Sequence, residues 1–187
     1  MVKHELGKWN LDELAKNPNR QIIDRKLAKI ESDAKRFEKI KKTLNPKVSS
    51  GKFLKLIHDI ENITEKSSTI GGYASLRYSE NTQSDEATAL LTRISKFGSE
   101  IENRLLFFDL WWKRQVDEKN AKRLIKSAGQ FSEYLRFKRL LAKYSLSEPE
   151  EKIINTLDVT GASALVKLYD KITNAYVYTI TVDGKKR

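Results

Sequence analysis

The strongest constraint in this chain is a set of apolar stripes repeating every three or four residues over stretches too long for any strand. Ile23, Leu27, Ile30, Ala34, Phe37, Ile40 and Leu44 mark the first. Such spacing places every apolar side chain on one face of a helix, which then needs a partner face to bury it. Asn45-Pro46 ends the run, because proline disfavours helical backbone at the residue before it. A second stripe opens near Ser49 or Ser50, takes in Phe53, Leu56, Ile57, Ile60, Ile63, Ile70 and Tyr73, and reaches about Tyr78. Gly71-Gly72 thins it near the end, each glycine costing roughly 1 kcal/mol against alanine. The third stripe, Ala87 through Leu90, Leu91, Ile94, Phe97, Ile101, Leu105 and Phe108 to Trp112, follows Thr82-Gln83-Ser84-Asp85, read as a capping box led by Thr82. Three long helices with short polar joints predict antiparallel packing.

Shorter helices are predicted beyond Asp117, itself a plausible cap: Asn120 to Lys126, Phe131 to Tyr144, Glu148 to Leu157 and Gly161 to Asn174. Ser147 and Glu150 form a second capping box, with Pro149 in the first turn where no hydrogen bond is lost. Tyr176 to Val182 alternates aromatic and β-branched residues and reads as a strand. Asp183-Gly184 favours a tight turn, yet only Lys185, Lys186 and Arg187 follow it. The fold class is therefore mainly α: long antiparallel helices, then shorter ones, ending in one strand of an incomplete β-hairpin. Residues 1–116 form the long-helix region and 117–187 the short-helix region with its terminal strand, in one continuous lobe.

Composition closes off several chemistries. There is no cysteine, which removes disulfides, thiolate nucleophiles and zinc ribbons. The greasiest stretch, Leu105 to Trp112, carries Asp109 and falls far short of the roughly 20 residues a membrane span needs. A cytoplasmic protein is expected. The histidines are His4 and His58 alone; His4-Glu5 begins like a zinc-binding His-Glu-x-x-His, but Lys8 stands where the second histidine belongs. His58, beside Asp59, reads as a surface or core-edge residue. Glu61 and Glu65 share a helix face but lack the histidine of a carboxylate-rich metal bundle. Catalytic, metal and cofactor residues are thus expected to be none in this chain.

The net charge of +11 collects in two runs, from Lys35 to Lys47 and from Lys113 to Lys143. Arg136, Lys138, Arg139 and Lys143 interleave with Phe137 and Tyr144, a pattern that can track phosphates, although a solvated face accounts for it as well. Phe107, Phe108, Trp111 and Trp112 cannot all face one core, since neighbours on a helix diverge by about 100°. Some of this surface must meet the following short helices or a further domain. Gly71-Gly72-Tyr73 lacks phosphate-loop spacing; the glycines there permit close backbone approach, with Tyr73 and Tyr78 adding polar tips.

Three stretches in order resemble the N-terminal half of the oligoendopeptidase F family, thimet-like zinc metallopeptidases that cleave short peptides. They are Trp9-Asn10-Leu11-Asp12-Glu13-Leu14, then Gly71-Gly72-Tyr73-Ala74-Ser75-Leu76-Arg77-Tyr78 leading through Asn81-Thr82, and Leu146-Ser147-Glu148-Pro149-Glu150-Glu151-Lys152-Ile153-Ile154. The last continues through Val159-Thr160-Gly161 to Leu168-Tyr169-Asp170. The chain departs from the family at Asn10, where many members have aspartate, and near Tyr144, where many have histidine. The resemblance implies a non-catalytic helical lobe that walls a channel for oligopeptides, with Tyr73, Arg77 and Tyr78 as substrate-channel candidates. It implies zinc in a catalytic half that this chain does not contain, so the chain is expected to be inactive alone. That half is the implied partner, whether on the same chain or separately encoded. The alternative is a freestanding basic adaptor for nucleic acid or an acidic protein.

Overall fold

A computed structural model describes residues 9–16, 18–182 and 184–186. The His4-Glu5 and Lys8 reading, Asp183 and Arg187 lie outside the described residues.

The three stripes become α1 (Arg20–Glu38), α2 (Ser50–Glu80) and α3 (Asp85–Leu110), each packed on the other two. The Asn19 side chain caps α1 by accepting from the Ile22 amide at 2.9 Å. Regular helix stops at Glu38, and Lys39–Lys42 tightens into a 3₁₀ turn before Asn45-Pro46, so the first helix is shorter than its stripe. α2 passes through Gly71-Gly72 unbroken, and its 31 residues span about 46 Å. The cap of α3 is Ser84 rather than Thr82: Ser84 accepts from the Ala87 amide at 3.2 Å. Thr82 is buried, which removes it from the position facing the first free amides.

Antiparallel packing of α1 on α2 and of α2 on α3 follows from which ends meet. Asp33 on α1 reaches Lys66 on α2, while Phe53 at the start of α2 stacks on Phe108 at the end of α3, ring centres 6.3 Å apart. Arg93 bonds Asp24 and Arg104 bonds Glu38 at 2.9 Å, so α3 runs alongside α1 in the same direction.

After Leu110 the helix widens into one π turn, Trp111–Gln115, closed by the Val116 amide on the Trp111 carbonyl at 3.2 Å. This wide turn changes the angular step between neighbours. Phe107, Phe108, Trp111 and Trp112 are all buried. The sequence expectation that part of this aromatic surface calls for a missing partner is therefore corrected. Phe37 meets both Phe107 (5.6 Å) and Phe108 (5.7 Å), Phe53 meets Trp112 (5.2 Å), and the Trp112 indole donates to the Leu135 carbonyl at 3.0 Å.

The short helices are α4 (Glu118–Lys126), α5 (Ser132–Leu140), α6 (Glu148–Thr160) and α7 (Ala162–Asn174). Asp117 caps α4 through the Asn120 amide at 3.0 Å. The single helix expected over 131–144 is split: 3₁₀ turns at Gly129–Phe131 and Leu141–Tyr144 bracket α5. Gly129 sits at φ +55°, a left-handed conformation that favours glycine and sets the sharp turn into α5. Glu150 accepts from both the amide (2.8 Å) and the hydroxyl (2.6 Å) of Ser147, fixing the start of α6.

The strand expected over 176–182 is much shorter. Only Thr181–Val182 (β1) pairs, antiparallel to Lys185–Lys186 (β2), with Thr181 opposite Lys186 and Val182 opposite Lys185. Residues 176–180 carry strand-forming side chains but, among the described residues, have no neighbouring strand to bond.

Candidate functional site

The α6–α7 pair is attached to the bundle in an unusual way. α6 packs on α3 and α7 packs on α6, yet neither helix contains a buried residue. The attachment is polar. The Ser99 hydroxyl donates to the Asn155 carbonyl at 2.9 Å and the Asn155 amide donates to Asn103 at 3.0 Å. Lys41 reaches Glu148 at 2.8 Å, and Gln83 donates to the Lys171 carbonyl at 3.1 Å.

The apolar side chains of these helices consequently face solvent. Ile153, Ile154 and Leu157 on α6, and Leu165, Leu168, Tyr169 and Ile172 on α7, are all exposed, with Leu165 at 67%. The extended stretch beyond α7 continues the surface, Val177 reaching 93%. An amphipathic helix in a finished core buries this stripe; a contiguous exposed apolar surface marks a place where another molecule sits. What the sequence assigned to the end of α3 is found instead on α6, α7 and residues 176–180.

Of the sequence-derived channel candidates, Tyr78 touches this pair. Tyr78 is buried and its phenol donates to the Lys167 carbonyl of α7 at 3.1 Å. Burial first, and the Asp170 carboxylate second, push the phenol above its ordinary pKa, so it stays a neutral donor. Tyr73, one helical turn earlier, is also buried. Arg77 faces outward and pairs with Glu80 at 2.7 Å, while Glu80 also accepts from the Trp9 amide at 3.2 Å. A methyl group built on Gly71 or Gly72 would meet nothing within 4 Å, so the close approach expected at the glycine pair is not made by this chain.

His58 is an exposed residue bonded to Glu61 at 3.1 Å and set edge-on to the Phe131 ring. Among the described residues no three His, Asp or Glu side chains come together as a metal site. The donors among the described residues do not fit the zinc that the family resemblance implies. No helix of the described chain is long and apolar enough to cross a membrane.

Part of the second basic run is paired with carboxylates. Lys138 pairs with Asp109 at 3.0 Å, Arg139 with Glu118 at 3.2 Å and Arg136 with Glu133. Arg139 also donates to the Trp112 and Val116 carbonyls, so its guanidinium serves the fold. Sequence reasoning missed Asp33, a buried carboxylate held by Lys29, Arg36 and Lys66. Its signal was positional: Asp33 falls inside the apolar stripe between Ile30 and Phe37.

No curated protein and no solved structure matches the chain. The family model described as Oligopeptidase F matches residues 114–177, from the end of the π turn through α7, in agreement with an N-terminal half of the oligoendopeptidase F family.

Proposed function

We propose that this chain is the N-terminal, non-catalytic lobe of an oligoendopeptidase F-like zinc metalloendopeptidase of the cytoplasm, contributing part of the wall of a channel for oligopeptides. Residues 1–116 and 117–187 act as one lobe, and the zinc and its ligands belong to a catalytic half outside this chain. The observation that carries the reading is the apolar outer surface of α6 and α7, which lies within the matched residues and is left open by an attachment that buries no side chain of either helix. A catalytic half covering that surface supplies the missing apolar partner.

Within the wall, Arg77 is the channel candidate whose side chain reaches solvent, where a peptide carboxylate would have to compete with Glu80 for it. Tyr73 and Tyr78 support it from inside, Tyr78 by tying α2 to α7. The nucleic-acid reading gains nothing from the fold, because Arg136, Lys138 and Arg139 are each engaged by a carboxylate.

The test pairs the purified chain with material precipitated from source cells by an antibody against it, both assayed on a quenched oligopeptide. The expected result is chelator-sensitive cleavage by the precipitate and none by the purified chain with added zinc. Zinc-dependent cleavage by the purified chain, or a precipitate without peptidase activity, overturns the proposal.

A further inference from the structure

A groove of about 650 Å³ lies between α2, α3 and α5, away from the outer surface of α7. Its walls are apolar: Ile57 and Ile60 from α2, Leu105 and Phe108 from α3, with Trp112 and Leu135 closing one side. That volume falls within the range of about 300–1,000 Å³ typical of small-molecule sites, and far exceeds what one side chain fills. Four charged residues stand around it: Glu61, Glu102, Asp109 and Lys138. Asp109 is neutralised by Lys113 and Lys138. Glu61 touches only the His58 ring, and Glu102 forms no ion pair among the described residues.

Glu102 is the uncompensated charge. Glu102 is an exposed residue at the rim of the groove, where partial desolvation, and then the Asp158 carboxylate, push its carboxyl above the ordinary value. On a chain whose net charge is +11, an apolar groove edged by surplus carboxylate is complementary to one kind of small ligand. We infer that this groove binds a small apolar ammonium compound, its aromatic or alkyl body lying among the α2, α3 and α5 side chains and its protonated amine on the Glu102 carboxylate. The inference does not rest on the lobe reading.

Tryptamine and its neutral analogue tryptophol, titrated calorimetrically into the 187-residue chain near neutral pH, test it. Tryptamine should bind saturably at one site and about tenfold more tightly than tryptophol, the value of one charge-assisted contact. Glu102→Gln should remove that advantage and leave tryptophol binding unchanged. Thr64→Phe, at an exposed position on the groove wall, should block both ligands. Equal affinity for the two compounds, an undiminished preference in Glu102→Gln, undiminished binding in Thr64→Phe, or no saturable binding of tryptamine overturns the inference; the comparison on the unaltered chain decides even where a variant fails to fold.

Discussion

Asp33→Asn isolates the most heavily engaged charge in the bundle. The Asp33 side chain is 4% exposed and its carboxylate accepts from Lys29 Nζ at 3.1 Å, Arg36 Nη2 at 2.9 Å and Lys66 Nζ at 3.2 Å. Only Lys66 comes from α2, so that bond cross-links two helices. Removing one partner of a buried pair costs most when the remaining charge is trapped; here the three cations are 38–71% exposed and return to water. The loss therefore stays below the roughly 3–5 kcal/mol of a fully buried pair, at about 2–3 kcal/mol, which lowers Tm by roughly 4–12 °C in a chain of this size.

The sign of the pH dependence separates charge from packing. Burial alone would raise the Asp33 pKa, but the ammonium groups of Lys29 and Lys66 together overcome it and hold the carboxyl below its ordinary value. An acid with a depressed folded pKa contributes fully above the unfolded value of about 3.9, and loses that contribution as pH falls toward the folded value. Urea unfolding followed by circular dichroism should thus show a gap between wild type and Asp33→Asn that is full at neutral pH and narrows below about pH 4. A gap under about 0.5 kcal/mol, or one that keeps its size in acid, refutes the reasoning.

Three further outcomes follow from single contacts. Trp112→Phe removes indole volume and the indole N–H bond to the Leu135 carbonyl, and should cost about 2–3 kcal/mol by urea unfolding. Tyr78→Phe removes the bond to Lys167 and should weaken the seating of α7 by about 1 kcal/mol, read as faster proteolysis within α7 at nearly unchanged Tm. Gly161→Ala places a methyl carbon 2.8 Å from the Leu157 carbonyl oxygen, a backbone atom that cannot swing aside, so the α6–α7 junction should be cleaved faster than in wild type.

Where one residue's chemistry settles the structure, the sequence was legible. Ser147-Glu150 and Asp117 start α6 and α4 as their side chains require, and Asn45-Pro46 stands beyond the end of the first helical run. Where two distant segments decide together, it was not. Across the π turn, Trp111 and Trp112 both meet Phe53 of α2 and Trp112 bonds Leu135 of α5, contacts between distant segments that no local pattern encodes. Strand propensity over 176–180 is real but has no partner to satisfy it, so the ladder shrinks to two residues on each side. Of the channel candidates, the pattern placed all three on α2 but not the burial of Tyr73 and Tyr78, the latter bonded to α7 through Lys167. Glu102 and the groove beside it left no pattern at all.

The polar seating of α6 and α7 also fixes how this molecule breathes. Helices without a buried side chain can detach at the expense of a few hydrogen bonds, whereas α2 cannot leave without exposing Phe53, Leu56 and Ile70 to water. Amide hydrogens of α6 and α7 will then exchange through a local opening, orders of magnitude ahead of those in α2, and they will slow when a partner covers the outer surface. Within the matched segment, α4 and α5 hold core residues such as Leu124 and Leu135, so this early opening is confined to α6 and α7.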